Sequence, residues 1–275
     1  MLQQLCKVRG VITDSLPRGV RIVTTSWDDG AIQDLRIARL LEHRAIGGTF
    51  YVPISGPFSP LALGPSDLRR LAAQGFEIGA HAYSHLDLSR CGAKELIYEV
   101  SACKTALQDL LGEEVRMFAY PRGRYGRRAV HAVREAGYVG ARTTRMFADS
   151  LGFDPYRMPT TLQAFPHSGG DYLRNLARQA DLGRVWNYLK LPNKTCGWTD
   201  LAMALFDSVL ERGGIWHLYG HSWEIQALNL WRDLEEILDY VRGREGVLYV
   251  SNGEVVELLQ APKTLTLDSP VSSAR

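Results

Sequence analysis

Residues 21–30 read RIVTTSWDDG, an apolar run that ends in two adjacent carboxylates, Asp28 and Asp29. A second apolar run, FEIGAHAYSH over residues 76–85, ends in a pair of histidines, His81 and His85. Both patterns are typical of buried strands that are followed by polar side chains. Because polar groups at the carboxyl ends of parallel strands gather at one edge of a sheet, we expect these four side chains to meet.

The rest of the chain alternates between short apolar runs and amphipathic stretches. Strands are predicted near residues 21–27, 48–54, 76–81, 116–120, 138–142, 157–162, 215–221 and 247–251. Helices are predicted over residues 32–43, 66–74, 94–111, 127–136, 200–212 and 231–242. Strand followed by helix, seven or eight times, favours parallel strands with right-handed crossovers. The sequence therefore predicts an α/β fold, a (β/α) barrel of seven or eight units, with a doubly wound open sheet as the alternative.

One stretch interrupts the alternation. Residues 165–198 are rich in proline and glycine and are too long for a simple connection, so we predict a loop excursion that contains a helix over residues 171–180. Residues 1–262 are expected to form a single domain that includes this excursion. Residues 263–275 lack periodicity and are expected to form a flexible tail.

Composition limits the classes of partner. At 275 residues and 30.7 kDa the chain has the usual length of a one-domain barrel. A net charge of +2 gives no reason to expect nucleic acid or an anionic membrane as a partner.

Four scattered cysteines without C-x-x-C spacing are expected to be reduced thiols: Cys6, Cys91, Cys103 and Cys196. With no secretory leader and no apolar window of membrane-spanning length, the expected location is the cytoplasm; nothing indicates an oligomeric state.

The polar side chains at the two strand ends are suited to metal chemistry. An aspartate and two histidines can hold one divalent ion, and the second carboxylate then remains to act on a water, which is the composition of a hydrolytic site. The mixed nitrogen and oxygen donors favour zinc, and cobalt, nickel or manganese also fit. In a regular strand Asp28 and Asp29 would point to opposite faces, so we expect Gly30 to let the backbone turn. His81 and His85 share a face if their segment is helical.

Four motifs resemble those of the NodB-type polysaccharide deacetylases, carbohydrate esterase family 4: TTSWDDG over 24–30, HAYSH over 81–85, FAYPRG over 118–123 and HLYGHSWE over 217–224. The resemblance covers about residues 20 to 258. It implies a distorted (β/α) barrel, a bound metal that is usually zinc, and removal of an acetyl group from an N-acetylated amino sugar. By position it implies that Asp29, His81 and His85 bind the metal and that Asp28 is the general base.

A histidine in the fourth motif is implied to be the general acid, and two histidines compete for that role. His217 lies inside the predicted strand, whereas His221 lies at its carboxyl end. Because catalytic groups of a barrel lie at strand ends, we predict that His221 is the acid and that His217 is a packed core residue. Glu224 either orients the imidazole or caps the next helix.

The third motif departs from the family pattern. Family members often carry an arginine, paired with the base, where this chain has Ala119, and a tyrosine where it has Arg122. The replacement partner of Asp28 is therefore open among Arg122, Arg142 and Arg157. We also predict that Tyr120, Arg122 and Trp223 contact substrate, with a backbone N–H near Pro121–Arg122 facing the oxyanion.

The expected substrate is an amino sugar that is small, nucleotide-linked or lipid-linked, because no export leader points to a wall polymer. Two other classes remain open from the sequence. One is a metal-dependent hydrolase of another C–N bond, in a formamide or a cyclic imide. The other is a sugar-binding protein with a degenerate, non-catalytic site.

Overall fold

The computed structural model describes residues 19–56, 62–178 and 197–261, and the structural statements that follow concern those ranges. The strands are β1 Arg21–Asp28, β2 Gly48–Val52, β3 Glu77–Ala80, β4 Met117–Ala119, β5 Gly140–Arg142, β6 Leu162–Gln163, β7 Gly214–Gly220 and β8 Val247–Tyr249. The α-helices are α1 Asp34–Glu42, α2 Pro65–Ala73, α3 Ala93–Leu111, α4 Arg127–Glu135, α5 Gly169–Arg178, α6 Trp198–Arg212, α7 Ser222–Ala227, α8 Trp231–Val241 and α9 Asn252–Gln260.

All named strands pair in parallel, in the order β5-β4-β3-β2-β1-β7-β6, and β8 lies beside the start of β1. A parallel bridge between Arg142 and Met158 joins the end of β5 to the segment that leads into β6. The two ends of the curled sheet are thereby brought together. The predicted (β/α) barrel is confirmed in its distorted form, and the strands lie within a few residues of their predicted positions.

Alternate residues of β1 face two different surroundings. Val23 and Trp27 belong to the large apolar cluster between the sheet and the helices. Ile22 belongs to a second cluster with residues of the neighbouring strands and of α9. Because side chains of a strand alternate between faces, Thr24, Ser26 and Asp28 lie on the same face as Ile22. This face carries the polar residues from which the site described below is built.

Helix α3 shows how local sequence sets the boundaries. It begins after Gly92, whose N–H donates to the Glu95 carboxylate at 3.3 Å, and ends at Gly112, which takes a left-handed conformation with φ of 73°. Leu96, Val100 and Leu107 recur at helical spacing and are buried against the sheet. The same buried face carries Glu99, which contacts the loop that follows β3.

Some predictions fall on residues that are not described. The predicted excursion helix is present as α5, but residues 179–196 of the excursion and the predicted tail, 263–275, lie outside the described residues. The single domain over residues 1–262 stays a prediction. Cys91 and Cys103 are buried free thiols, and Cys6 and Cys196 are not described. In the described ranges, no helix combines the length and apolarity that crossing a membrane requires.

Candidate active site

The turn after β1 brings both carboxylates into one pocket. Asp28 is the last residue of β1, and Asp29 and Gly30 both take left-handed conformations with φ of 77° and 63°. A Cβ added at Gly30 would lie 2.9 Å from a methyl group of Val52, so the turn is close to β2. The prediction assigned the turn to Gly30 alone; the structure shows that Asp29 shares it. A left-handed non-glycine residue is strained, and such strain is concentrated at functional sites.

The two histidines of the second motif converge on Asp29 without a helix. Residues 81–87 are irregular, so a helical turn is not what brings His81 and His85 together. Left-handed conformations at Ala82 and His85, with φ of 62° and 58°, turn the chain instead. The two rings contact each other edge to face, with centroids 4.9 Å apart.

Glu99 holds this irregular loop in place. Its carboxylate accepts hydrogen bonds from the backbone N–H and the hydroxyl of Ser84, at 2.8 and 2.5 Å. The backbone carbonyl of Glu99 accepts a further bond from the Tyr83 N–H at 2.9 Å. Glu99 therefore accepts three hydrogen bonds that fix the backbone between His81 and His85. Sequence reasoning missed this role, because a glutamate inside a helix usually faces solvent.

Asp29, His81 and His85 have the geometry of a metal site. One ligand atom from each residue lies within 4.8 Å of the other two. Asp29 Oδ1 lies 3.7 Å from His81 Nε2 and 3.2 Å from His85 Nε2. Ligand atoms around a tetrahedral zinc ion are about 3.3 Å apart, given bonds of about 2.0–2.1 Å. Asp29 Oδ1 is also buried without a hydrogen-bond partner among the described residues, as expected for an oxygen that binds a cation.

His81 is already in the form that binds a metal. Its Nδ1 lies 2.9 Å from the Ala119 carbonyl, which can only accept, so Nδ1 carries the proton and Nε2 presents its lone pair towards Asp29. Burial lowers the pKa of His81 to about 4, so the ring is neutral near pH 7. The carboxylate is ionised as well. Burial alone would raise the pKa of Asp29, but the contact with His85 and the other nearby histidines outweigh burial and lower it.

Arg142, at the end of β5, is the partner of Asp28. Its Nη2 donates to Asp28 Oδ1, and both side chains are buried. The guanidinium also lies over the rings of Tyr51 and Tyr219, 5.2 and 5.0 Å from their centroids. Burial alone would raise the pKa of Asp28, but the Arg142 charge and hydrogen bond hold it below its usual value. Three arginines were considered as the partner of Asp28, because Ala119 stands where the family often has that arginine. Of these three, Arg142 is the one in contact with Asp28.

His221 joins the cluster from the end of β7. Its Nε2 lies 4.0 Å from Asp28 Oδ2 and 3.9 Å from Asp29 Oδ2. Its Nδ1 donates to the Glu224 carboxylate at 2.7 Å, which leaves Nε2 to face the pocket. Burial alone would lower the pKa of His221, but the bond to Glu224 and the two aspartates outweigh burial and raise it to about 9.

A buried amide extends this arrangement away from the pocket. Gln163, at the end of β6, donates from Nε2 to Glu224 Oε2 at 3.1 Å. Its Oε1 accepts from the Tyr219 hydroxyl and lies 2.8 Å from His167 Nε2. The amide therefore has one orientation, with nitrogen towards the carboxylate and oxygen towards the two donors. Sequence reasoning missed Gln163, since a single glutamine after a short apolar run carries no distinguishing signal.

His217 lies in the interior and not in the pocket. It is fully buried, its Nδ1 donates to the Pro159 carbonyl at 3.0 Å, and its Nε2 lies 2.9 Å from the Ser26 hydroxyl. Burial, assisted by the Arg142 charge, lowers its pKa to about 3. The structure thus separates the two histidines of the fourth motif, with His221 at the cluster and His217 packed behind it.

The three residues predicted to contact substrate are placed differently from one another. Tyr120 is fully buried and donates from its hydroxyl to the Tyr156 carbonyl at 3.0 Å, and its contact with substrate stays a prediction. Trp223 is half-buried and donates from its indole N–H to Asp29 Oδ2 at 3.0 Å. Arg122 is exposed in the turn after β4. Arg157 is exposed too and pairs with Asp154 at 3.3 Å.

Comparison with known proteins gives one matching family model. The model described as polysaccharide deacetylase matches residues 16–141, which include Asp28, Asp29, His81 and His85. Over these residues the chain is similar to the polysaccharide deacetylases, which confirms the resemblance to the NodB-type enzymes.

Solved polysaccharide deacetylases share the fold. A candidate polysaccharide deacetylase from Mycobacterium smegmatis is 17% identical with a TM-score of 0.60, over 94% of this chain and 98% of that one. A chitin deacetylase from the fungus Colletotrichum lindemuthianum is 18% identical with a TM-score of 0.54, over 87% and 92%. A pseudoenzyme of carbohydrate esterase family 4 from Bacillus anthracis is 13% identical with a TM-score of 0.52, over 87% and 66%. The chain spans 63% and 45% of the lengths of two further deacetylases, from Streptococcus pyogenes and Bacillus cereus.

Proposed function

We propose that this protein is a metal-dependent hydrolase that removes the acetyl group from an N-acetylated amino sugar. The observation that carries the proposal is the convergence of five side chains from three strand ends in one pocket. Three of them, Asp29, His81 and His85, have the spacing of a metal site, and the other two, Asp28 and His221, are an ionised carboxylate and an imidazole beside it. An amide is a poor electrophile with a poor leaving group, and this set supplies both a base and an acid.

Asp28 is proposed as the general base. A divalent ion held by Asp29, His81 and His85, most simply zinc, would polarise the amide carbonyl and make a bound water more acidic. The Asp28 carboxylate then takes a proton from the attacking water. Arg142 keeps that carboxylate ionised and fixes one of its oxygens, so that the other, Oδ2, faces the pocket.

His221 is proposed as the general acid. Expulsion of the amine requires a proton on its nitrogen, and the imidazolium of His221 can supply it from Nε2. Glu224 stabilises the charged ring and holds it in one orientation, with Gln163 behind it. The Arg122 backbone N–H is proposed to face the oxygen that becomes negative, and Trp223 to orient Asp29.

One observation weighs against the binding-protein alternative, whereas the other hydrolase reactions are left to assay. A sugar-binding protein without activity is a real possibility for this fold, since the Bacillus anthracis relative is a pseudoenzyme. In the present chain, however, the metal cluster, the ionised carboxylate and the paired histidine are all retained. Hydrolysis of a formamide or a cyclic imide would use the same groups, so the acyl group must be decided by assay.

The test is product analysis with the metal-loaded protein and a panel of N-acetyl and N-formyl amino sugars. We expect the wild type to release acetate and Asp28→Asn to lose this activity. The control is Arg39→Gln, in the last turn of α1, which should stay active. Formate release alone would make the protein a deformylase. No release from any substrate, with metal bound, would favour the binding protein.

A further inference from the structure

A strongly basic loop follows β4. Residues 121–128, PRGRYGRR, contain four arginines, and we call this segment the arginine loop. No aspartate or glutamate occurs between Glu114 and Glu135. The chain as a whole carries a net charge of only +2, so this cluster is a local concentration of positive charge. The reaction proposed above uses none of the four arginine side chains.

The arginine loop lies beside the metal ligands. It begins two residues after Ala119, whose carbonyl accepts the hydrogen bond from His81 Nδ1. Farther along, Arg124 Nη1 binds Asp87 Oδ2 at 3.0 Å, and Asp87 is two residues from His85. The start of the loop and the Arg124–Asp87 contact therefore place it next to the strand ends that carry the ligands.

The backbone of the loop has a fixed and unusual conformation. Arg122 and Gly123 are consecutive left-handed residues, with φ of 57° and 64°. A Cβ at Gly123 would come within 2.0 Å of the Thr144 hydroxyl oxygen, so the turn is closely packed on the loop after β5. Left-handed non-glycine residues such as Arg122 are strained, and such strain is concentrated at functional sites.

Two of the four arginines are available to a ligand. Arg124 is paired with Asp87, and Arg128 donates to the Cys91 carbonyl at 3.4 Å. Arg122 and Arg127 are exposed and form no ion pair with any residue in the described part of the chain. Arg127 also begins α4, whose first turn contains no acidic residue, so the helix adds positive potential there.

We propose that the arginine loop binds a phosphate group of the substrate, through the side chains of Arg122 and Arg127. The proposal rests on the proposed deacetylase function and specifies its substrate as an acetamido sugar that carries a phosphate, as in a nucleotide-linked or lipid-linked sugar. Guanidinium groups match the oxygens of a phosphate in pairs and stay charged at all relevant pH values. A neutral polysaccharide would offer this loop no anionic partner.

The experiment compares an acetamido sugar with the same sugar phosphorylated at its anomeric carbon. We expect the wild-type protein to prefer the phosphorylated sugar in kcat/KM, and Arg122→Gln and Arg127→Gln each to lower that preference about tenfold, equivalent to about 1.4 kcal/mol. The preference should also fall with added salt, because the contact is ionic and partly exposed. Arg39→Gln, which removes an exposed arginine from the last turn of α1, should leave both the activity and the preference unchanged.

Two further arms separate the possible outcomes. Nucleoside diphosphate and short-chain polyprenyl phosphate forms of the sugar show which carrier is preferred, and equal rates would still support phosphate as the shared group. Equal kcat/KM for neutral and phosphorylated sugars, or an unchanged preference in both glutamine variants, would overturn the proposal. If no sugar is deacetylated, calorimetric binding of the sugar phosphate still tests it: tight binding that both variants weaken supports the site, and absence of binding refutes it.

Discussion

Replacement of Arg142 by methionine tests the account of Asp28. Both side chains of the pair are buried, with 0% and 4% of their surface exposed, so the substitution would leave a carboxylate in the interior without its partner. Breaking such a buried pair from one side costs about 3–5 kcal/mol. Since 1 kcal/mol corresponds to about 2–4 °C in a domain of this size, we expect Tm to fall by roughly 6–20 °C.

A double-mutant cycle separates the ion pair from simple loss of packing. In the double variant Arg142→Met with Asp28→Asn, the buried charge is absent, so the loss of Tm should be smaller than the sum of the two single losses. Arg157→Met is the matched control, because Arg157 and Asp154 form an exposed pair that contributes about 1 kcal/mol or less.

The pH dependence of this effect has a defined sign. Arg142 holds the pKa of Asp28 below its usual 3.8, so the pair stabilises the fold above that pH and loses its effect as the carboxylate is protonated in acid. The difference in Tm between the wild type and Arg142→Met should therefore shrink below about pH 4. Additive losses in the cycle, or a difference in Tm that does not change with pH, would refute the assigned partnership.

The remaining predictions concern the groups around His221. His221→Ala should lower kcat for an acetamido sugar by about 10² or more, with a much smaller effect on an activated anilide. His217→Ala should instead lower Tm more than turnover, because that ring is packed against Ser26. Glu224→Gln removes a bond that raises the pKa of His221, so the alkaline limb of the rate–pH profile should move to lower pH. Gln163→Leu should retain activity, whereas Trp223→Phe should weaken metal affinity about 10–100-fold in a chelator titration.

Each of these expectations has an outcome that contradicts it. An inactive but stably folded His217→Ala with an active His221→Ala would mean that the acid was assigned to the wrong histidine. An alkaline limb that stays in place in Glu224→Gln would mean that Glu224 does not raise the pKa of the catalytic acid.

The part of the site that sequence could predict is the part encoded locally. Asp28, Asp29, His81 and His85 lie at or just after the ends of two apolar runs. Because the ends of parallel strands lie at one edge of the sheet, these side chains are expected to meet. The choice of His221 over His217 followed from the same reasoning. The fold was predictable because strand and helix patterns alternate without ambiguity along most of the chain.

The rest depends on contacts that no local pattern encodes. Arg142 lies 114 residues from Asp28, and nothing in its short strand distinguishes it from Arg122 or Arg157. The left-handed residues that turn the loop between His81 and His85 are an alanine and a histidine, which have no strong preference for that conformation. The burial of Tyr120 could not be predicted, because the motif gives its position in sequence and not the side of the strand on which its ring packs.

The most direct test of the central claim is the metal content of the purified protein, measured by elemental analysis in the wild type and four variants. We expect about one divalent ion per chain in the wild type and in Asp28→Asn, and loss of most of it in Asp29→Asn, His81→Ala and His85→Ala. Asp28→Asn is the matched control, since it changes the neighbouring carboxylate that is assigned to the base. Full occupancy in both histidine variants, or loss of metal in Asp28→Asn with retention in Asp29→Asn, would contradict the assignment.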